Sequence, residues 1–194
     1  FVPLSTYKTS CISKEQIAPK VYELTFTKPA GFAFRPGQFV LFQIPLVGKP
    51  EDVQVRSLSI ASSPKEDFLL FCMKLKEGGR ISRWIEEILE EGMDVVMQGP
   101  LGVFTLDRST DKPYVFLATG TGLSPIRSHL KWALEEEKDM RPMHLIFCVR
   151  EECDLFWTDQ FKSLVKAFPN FTFSISLTRG PDTWAGFRGR VYEV

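Results

Sequence analysis

Only 2 histidines and 4 cysteines occur among the 194 residues, and their placement removes several chemistries. Cys11, Cys72, Cys148 and Cys153 form no CxxC pair and have no histidine at ligand spacing, so neither a zinc site nor a cysteine-held iron–sulfur cluster is encoded. An excess of one charge is lacking too: 24 Lys and Arg balance 24 Asp and Glu, and both signs are spread through both halves, leaving no basic stripe for nucleic acid. No apolar run approaches the roughly 20 residues that span a bilayer, and the start, FVPLSTYKTS, lacks the basic-then-apolar order of a secretory signal. Repeats and low-complexity stretches are missing as well. The expectation is a soluble, cytoplasmic protein with reduced thiols, and the start at Phe1 rather than Met reads as a fragment of a longer chain.

What is present is a 44% hydrophobic composition, enough for a core in one large domain or two small ones. Up to about Leu106 the chain reads as short strands broken by Pro and Gly, around 22–27, 39–44, 57–61, 68–74 and 94–98, which suggests an antiparallel barrel. One helix interrupts it: Ile81, Trp84, Ile85, Ile88 and Leu89 share a face, with Glu86, Glu87, Glu90 and Glu91 largely outside, as in a helix capping a barrel mouth. Beyond the polar stretch 107–113 the style changes. Strands at 114–118, 144–149 and 171–177 alternate with helices at about 124–137 and 157–167, a pattern of βαβ units with a parallel sheet. The expected units are 1–108 and 109–194. His129 reads as a helix-surface residue, His144 as a strand-start residue, and Glu135 to Glu137 as a solvated helix end. The aromatics from Phe147 to Phe173 are spaced as core.

Three places carry chemistry. The apolar run at Val115 ends in Thr119-Gly120-Thr121-Gly122 and turns into a helix with Pro125 in its first turn. Glycines there let the backbone approach a ligand, and the helix start offers unpaired N–H groups to phosphate. Arg56-Ser57-Leu58-Ser59 supplies a guanidinium fork, and Gly79-Arg80-Ile81-Ser82 supplies N–H groups and a hydroxyl at a helix start; together they suit a pyrophosphate. Singly, each also reads as an ordinary turn or surface charge.

The order RxxS, GGxxS, GPxGxF (Gly99 to Phe104) and TGTGxxP resembles the ferredoxin-NADP reductase superfamily, above all its short bacterial ferredoxin and flavodoxin reductases, over essentially the whole chain. The resemblance implies an antiparallel FAD-binding β barrel followed by a parallel-sheet α/β NAD(P)-binding domain. It assigns Arg56 to the flavin pyrophosphate, Ser57 and Ser59 to the flavin, Ser59 near its reactive nitrogen, Met73 and Lys74 to backbone contacts, and Gly79, Arg80, Ile81 and Ser82 to the phosphates. Leu58 stands where the family usually has a Tyr packed on the flavin ring, which leaves an apolar contact in place of an aromatic one. Thr119, Gly120, Thr121, Gly122 and Pro125 match the dinucleotide turn, with Thr119 and Thr121 near the nicotinamide. Arg150, Arg179 and Arg190 match positions that gather around the phosphate of NADP, although the spacing of Trp184 and Gly186 also occurs in relatives that prefer NADH. Relatives continue past Gly189-Arg190-Val191 into a further strand, so the second domain is expected to be C-terminally incomplete. The implied activity is hydride exchange between NAD(P)H and FAD and single-electron exchange with an iron–sulfur protein, a flavodoxin or an oxygenase component. Two alternatives stand beside it: an electron-transfer subunit of an oxygenase, hydrogenase or dihydroorotate dehydrogenase complex, and a flavin-free nucleotide-binding module.

Overall fold

The computed structural model describes residues 4–190; the ends of the two expected units, 1–3 and 191–194, with Val191 of the Gly-Arg-Val segment, lie outside the described residues. Six strands, β1 (Thr6–Ala18), β2 (Val21–Thr27), β3 (Phe39–Leu46), β4 (Lys49–Ser59), β5 (Phe68–Lys74) and β6 (Asp94–Leu101), form one sheet in the order β4-β3-β6-β1-β2-β5. All neighbours in it are antiparallel. The sheet curls like a barrel whose edges, β4 and β5, meet where Ala61 N–H donates to the Leu70 carbonyl at 2.7 Å. Phe26, Phe42 and Phe71 fill it, their ring centroids 5.0, 5.2 and 5.9 Å apart, within the range of favourable edge and offset contacts.

Helix α1 (Arg80–Glu87) closes one mouth as its periodicity predicts: Trp84, Ile85 and Leu89 are buried in the same cluster and Glu86, Glu87, Glu90 and Glu91 are exposed. Lys14 Nζ donates to the carbonyls of Ile85 and Leu89 at 2.8 and 2.7 Å, giving the helix end a cationic cap. Strand β1 is absent from the sequence reading. It is rich in polar residues and pairs first with β6 (Thr6 to Ser10) and then, past a register break after Cys11, with β2, so no single alternation runs through it. Strand β4 also begins earlier than expected, and its residues 49–55 are exposed.

The second sheet holds β7 (Tyr114–Thr119), β8 (Met143–Val149), β9 (Phe171–Leu177) and the short β10 (Phe187–Arg188), all parallel, in the order β10-β9-β8-β7. Helix α2 (Leu123–Lys131) widens into a π-helical turn at Trp132–Glu136, and α3 (Thr158–Ala167) follows β8. Both pack on the sheet through Leu123, Ile126, Leu130, Phe161 and Leu164. The connector between the sheets is fastened to the second one: Tyr114 Oη donates to the Asp107 carbonyl at 2.6 Å, Arg141 Nη1 to the Thr110 carbonyl at 2.7 Å, and Arg108 pairs with Glu137 at 2.8 Å.

One apolar cluster runs across the junction, uniting Ala18, Val21, Ala61, Leu70 and Cys72 of the first half with the core of the second. A polar set reinforces it. Buried Arg127 donates to the Ala61 carbonyl at 2.7 Å, to Gln160 Oε1 at 3.0 Å and to Glu66 Oε2 at 3.3 Å, and Ser128 Oγ donates to the Ser62 carbonyl at 2.6 Å. Burial acts to raise the pKa of Glu66, but the charges of Arg127 and Lys131 and the Ser63 N–H outweigh it and hold the carboxyl below its ordinary range. His129 corrects the sequence reading: it is 1% exposed, not on the helix surface, with Nε2 bonded to the Phe104 carbonyl at 2.9 Å. The acidic run is corrected likewise, since Glu136 accepts from Ser63 Oγ, Glu135 pairs with Lys131 and Glu137 with Arg108.

Candidate functional site

The two phosphate-binding candidates of the first half are joined in the fold. Arg80, at the start of α1, forks onto Asp52 of β4, with Nη1 and Nη2 at 2.9 and 3.0 Å from the carboxylate oxygens, and these bonds hold the Asp52 carboxyl below its usual range. The strand that carries Arg56 and the helix start that carries Gly79 are thereby tied together. Arg56 is half-buried, and its guanidinium donates to Val55 O and Gln54 Oε1 of its own strand. Helix α1 has no side-chain N-cap bond and no acidic residue in its first turn, which leaves its N-terminal N–H groups suited to an anion. A Cβ on Gly79 would lie 3.0 Å from the Lys76 carbonyl and 3.1 Å from Ser82 Oγ, so the turn is already as close as glycine allows.

Several expectations for this half change. The Ser82 hydroxyl is buried and accepts from Lys76 N–H at 2.8 Å, so that residue has its backbone rather than its side chain to offer a phosphate. Ile81 is buried in the barrel cluster and has the same limit. Leu58 is 9% exposed and packs in that cluster, which makes it a barrel-core residue instead of an apolar surface for a flavin ring. Ser57 is exposed and Ser59 half-buried at the end of β4, while Met73 is half-buried and Lys74 exposed at the end of edge strand β5.

In the second half, β7 delivers the chain to a 3-10 turn over Gly120 to Gly122 that leads directly into α2. Gly120 has φ +50°, and a Cβ at either Gly120 or Gly122 would meet nothing within 4 Å. The turn thus faces open space, and α2, like α1, begins without a side-chain cap or an acidic first turn. Half-buried Pro125, in that first turn, removes no intrahelical hydrogen bond.

A cleft of about 800 Å³ opens in front of this turn. Thr119, Gly120 and Thr121 form one wall, Arg150, Asp154 and Phe156 another, and Thr178, Arg179, Gly189 and Arg190 the outer rim. Val21 and Lys74 of the barrel complete it, so it lies at the junction of the two halves. Gly122 and Pro125 sit beside the cleft rather than on its wall. The rim is tied across the strand ends: Thr178 N–H donates to Val149 O at 3.0 Å and Arg179 N–H to Arg150 O at 2.8 Å. The Gly189 carbonyl accepts from Ser176 Oγ at 2.8 Å, which sets Arg190 at the opening. Among the described residues, Lys74, Arg150, Arg179 and Arg190 line the cleft with one carboxylate, Asp154, so its described lining carries an excess of positive charge. Arg188 is turned away onto Asp182 at 2.8 Å.

Sequence reasoning missed Phe156, Val21 and Asp154 as cleft residues. Phe156 was read as core, and nothing in the pattern of β2 marks which end of that strand meets the second sheet.

The model of the oxidoreductase FAD-binding domain matches residues 8–106, and that of the oxidoreductase NAD-binding domain matches residues 116–194. The ferredoxin–NADP reductase B of Sorangium cellulosum (strain So ce56) is 33% identical over 189 residues, covering 95% of this chain and 75% of that protein. The glycine betaine monooxygenase reductase subunit of Pseudomonas aeruginosa (strain UCBPP-PA14) is 31% identical over 166 residues, covering 84% of this chain and 44% of that protein. Among solved structures, the Amycolatopsis cytochrome P450 reductase GcoB superposes with a TM-score of 0.85 at 27% identity, covering 97% of this chain and 56% of that one. The chain therefore spans about half the length of two of these three proteins and three-quarters of the first. With a barrel, a nucleotide turn and two domain models in the same order along the sequence, the chain belongs to the ferredoxin-NADP reductase superfamily.

Proposed function

We propose that the chain is the flavin- and nucleotide-binding part of an NAD(P)H oxidoreductase, with residues 1–108 as the FAD unit and 109–194 as the nucleotide unit. Its redox partner would be an iron–sulfur protein, a flavodoxin or an oxygenase component. The observation that carries this reading is the position of the cationic cleft, lined by Lys74 and Val21 of the barrel and by the Thr119 to Thr121 turn of the parallel sheet. A ligand held there touches both halves.

The donor sets fit the two groups. Arg56 and the uncapped N–H groups at Gly79 to Ser82 would hold the flavin pyrophosphate, and the outer backbone groups of β5 at Met73 and Lys74 would contact the ring system. Ser59, half-buried at the end of β4, would place its hydroxyl near the reactive edge of the flavin. FAD, when bound, supplies hydride acceptance and one-electron transfer; the protein supplies position and exclusion of competing reactions. Thr119 and Thr121 would border the nicotinamide, and Gly120 and Gly122 would let a pyrophosphate approach the start of α2.

Arg150, Arg179 and Arg190 favour a ligand with more negative charge, and so NADPH over NADH. The runner-up reading, a reductase subunit serving an oxygenase, is supported by the relatives described as monooxygenase reductase subunits. A cytoplasmic location is part of the proposal and rests on four cysteines with no disulfide among them. The test is a visible spectrum of the protein mixed with FAD, followed by reduction of ferricyanide with NADPH and with NADH. A bound-flavin spectrum and a higher kcat/KM with NADPH are expected. A protein that stays colourless on reconstitution refutes the flavin reading, and equal rates refute the arginine argument.

A further inference from the structure

The segment from Asp154 to Trp157 leaves the second half and lies across the barrel. At its first residue, Asp154 Oδ1 accepts from Lys74 Nζ at 3.2 Å. At its last, Trp157 Nε1 donates to Glu23 Oε2. The two anchors are near neighbours on adjacent strands, because Lys74 of β5 is paired with Val21 of β2, two residues before Glu23. Their polarity is reversed: the barrel donates at Lys74 and accepts at Glu23. A strap displaced along the barrel would set Asp154 against Glu23, carboxylate against carboxylate, so the pair of contacts specifies one register.

Between the anchors, Phe156 is 4% exposed and lines the nucleotide cleft together with Val21. Its ring meets Trp157 edge-on at 5.2 Å and Phe147 at 5.3 Å. Trp157 has φ 57° and ψ 10°, a left-handed backbone that a bulky residue rarely adopts. Contacts from other elements maintain it: Glu23 on the indole nitrogen and the Arg127 guanidinium 5.5 Å over the ring. The indole itself is 8% exposed and does not border the cleft.

We propose that Trp157 is a positioning residue: docked on Glu23, it fixes where Phe156 and the Arg150 to Asp154 loop stand against the barrel, and so sets the width of the nucleotide cleft. Its consequence for nucleotide binding rests on the oxidoreductase reading; the docking itself does not. Glu23→Leu, Glu23→Gln and Trp157→Phe are compared in the FAD-loaded protein by calorimetric titration with NADP+, and by amide exchange over 150–155 without nucleotide. Loss of a charge-assisted hydrogen bond predicts about tenfold weaker NADP+ binding and about tenfold faster exchange for E23L and W157F, whereas E23Q, which keeps an acceptor oxygen, stays within about threefold of the parent. The Glu23 pair carries the test alone where W157F does not fold. Unchanged exchange in E23L, or NADP+ affinity that tracks melting temperature rather than the presence of an acceptor at position 23, overturns the proposal. A parent protein that binds neither NADP+ nor NAD+ overturns the oxidoreductase reading and the cleft role with it, while the exchange comparison still decides the docking.

Discussion

The proposed flavin side and the proposed nucleotide side would both set phosphate against an uncapped helix, and they differ in how committed their residues already are. At Gly79 a Cβ would press on the Lys76 carbonyl and Ser82 Oγ, Ser82 is turned inward, and Arg80 is spent on Asp52. At Gly120 and Gly122 there is open space, and Arg150 and Arg179 line a cleft whose strand ends are held together by backbone bonds. The difference follows from architecture. A parallel sheet gathers its strand ends, and the loops after them, at one edge. An antiparallel sheet scatters its ends, so the barrel brings β4 and α1 together with a salt bridge instead.

The largest way to break this comparison is to separate the two sides. Arg127→Met leaves Glu66 partly buried beside Lys131 alone, and removal of one partner of a buried pair costs about 3–5 kcal/mol. Urea unfolding, expected as a single transition in the parent because the two halves share a core, should shift to lower midpoint and split into two, one for each half. A smaller effect sharpens the contrast between the sides: Gly120→Val forces a β-branched residue into a left-handed backbone, at a cost of about 1–3 kcal/mol. Nucleotide affinity should fall roughly tenfold or more, with flavin content measured by absorbance unchanged.

The smallest is a pH effect at the junction. Burial, opposed by the bond to the Phe104 carbonyl, depresses the pKa of His129 below its ordinary value. The folded state therefore favours the neutral ring, and stability present above about pH 6.5 is lost progressively as pH falls from there toward the depressed value. The carboxyl of Glu66, held low, contributes only to a separate loss that begins near the ordinary carboxyl value of 4.5. Urea midpoints measured from pH 8 to pH 5 should decline in the parent and stay flat in His129→Gln.

Much of the architecture was legible because barrel strands such as 39–46 alternate and the sheet strands are continuous apolar runs, as at 143–149. The capping helix was legible from its single apolar face. What escaped was whatever depends on a second surface. Helix α2 is buried both on the sheet, through Leu130, and on the barrel, through Arg127, Ser128 and His129; its polar residues therefore read as solvent-facing. Strand β1 escaped because it changes partners midway. For the site, the motif residues Thr119 to Thr121, Arg150, Arg179 and Arg190 do converge on one cleft, whereas Leu58 and Ser82 show that a motif position does not specify which way its side chain points.

The fastening of the connector has a mechanical consequence. Asp107, Arg108 and Thr110 are bound to Tyr114, Glu137 and Arg141, so this stretch travels with the parallel sheet as part of it. Any rotation of one half against the other must be absorbed upstream, between Gly102, at φ +102° against the Phe39 ring, and Leu106. That short run, with Val103 and Phe104 exposed, is where such a rotation would have to bend the chain, and the bond from His129 to the Phe104 carbonyl would oppose it.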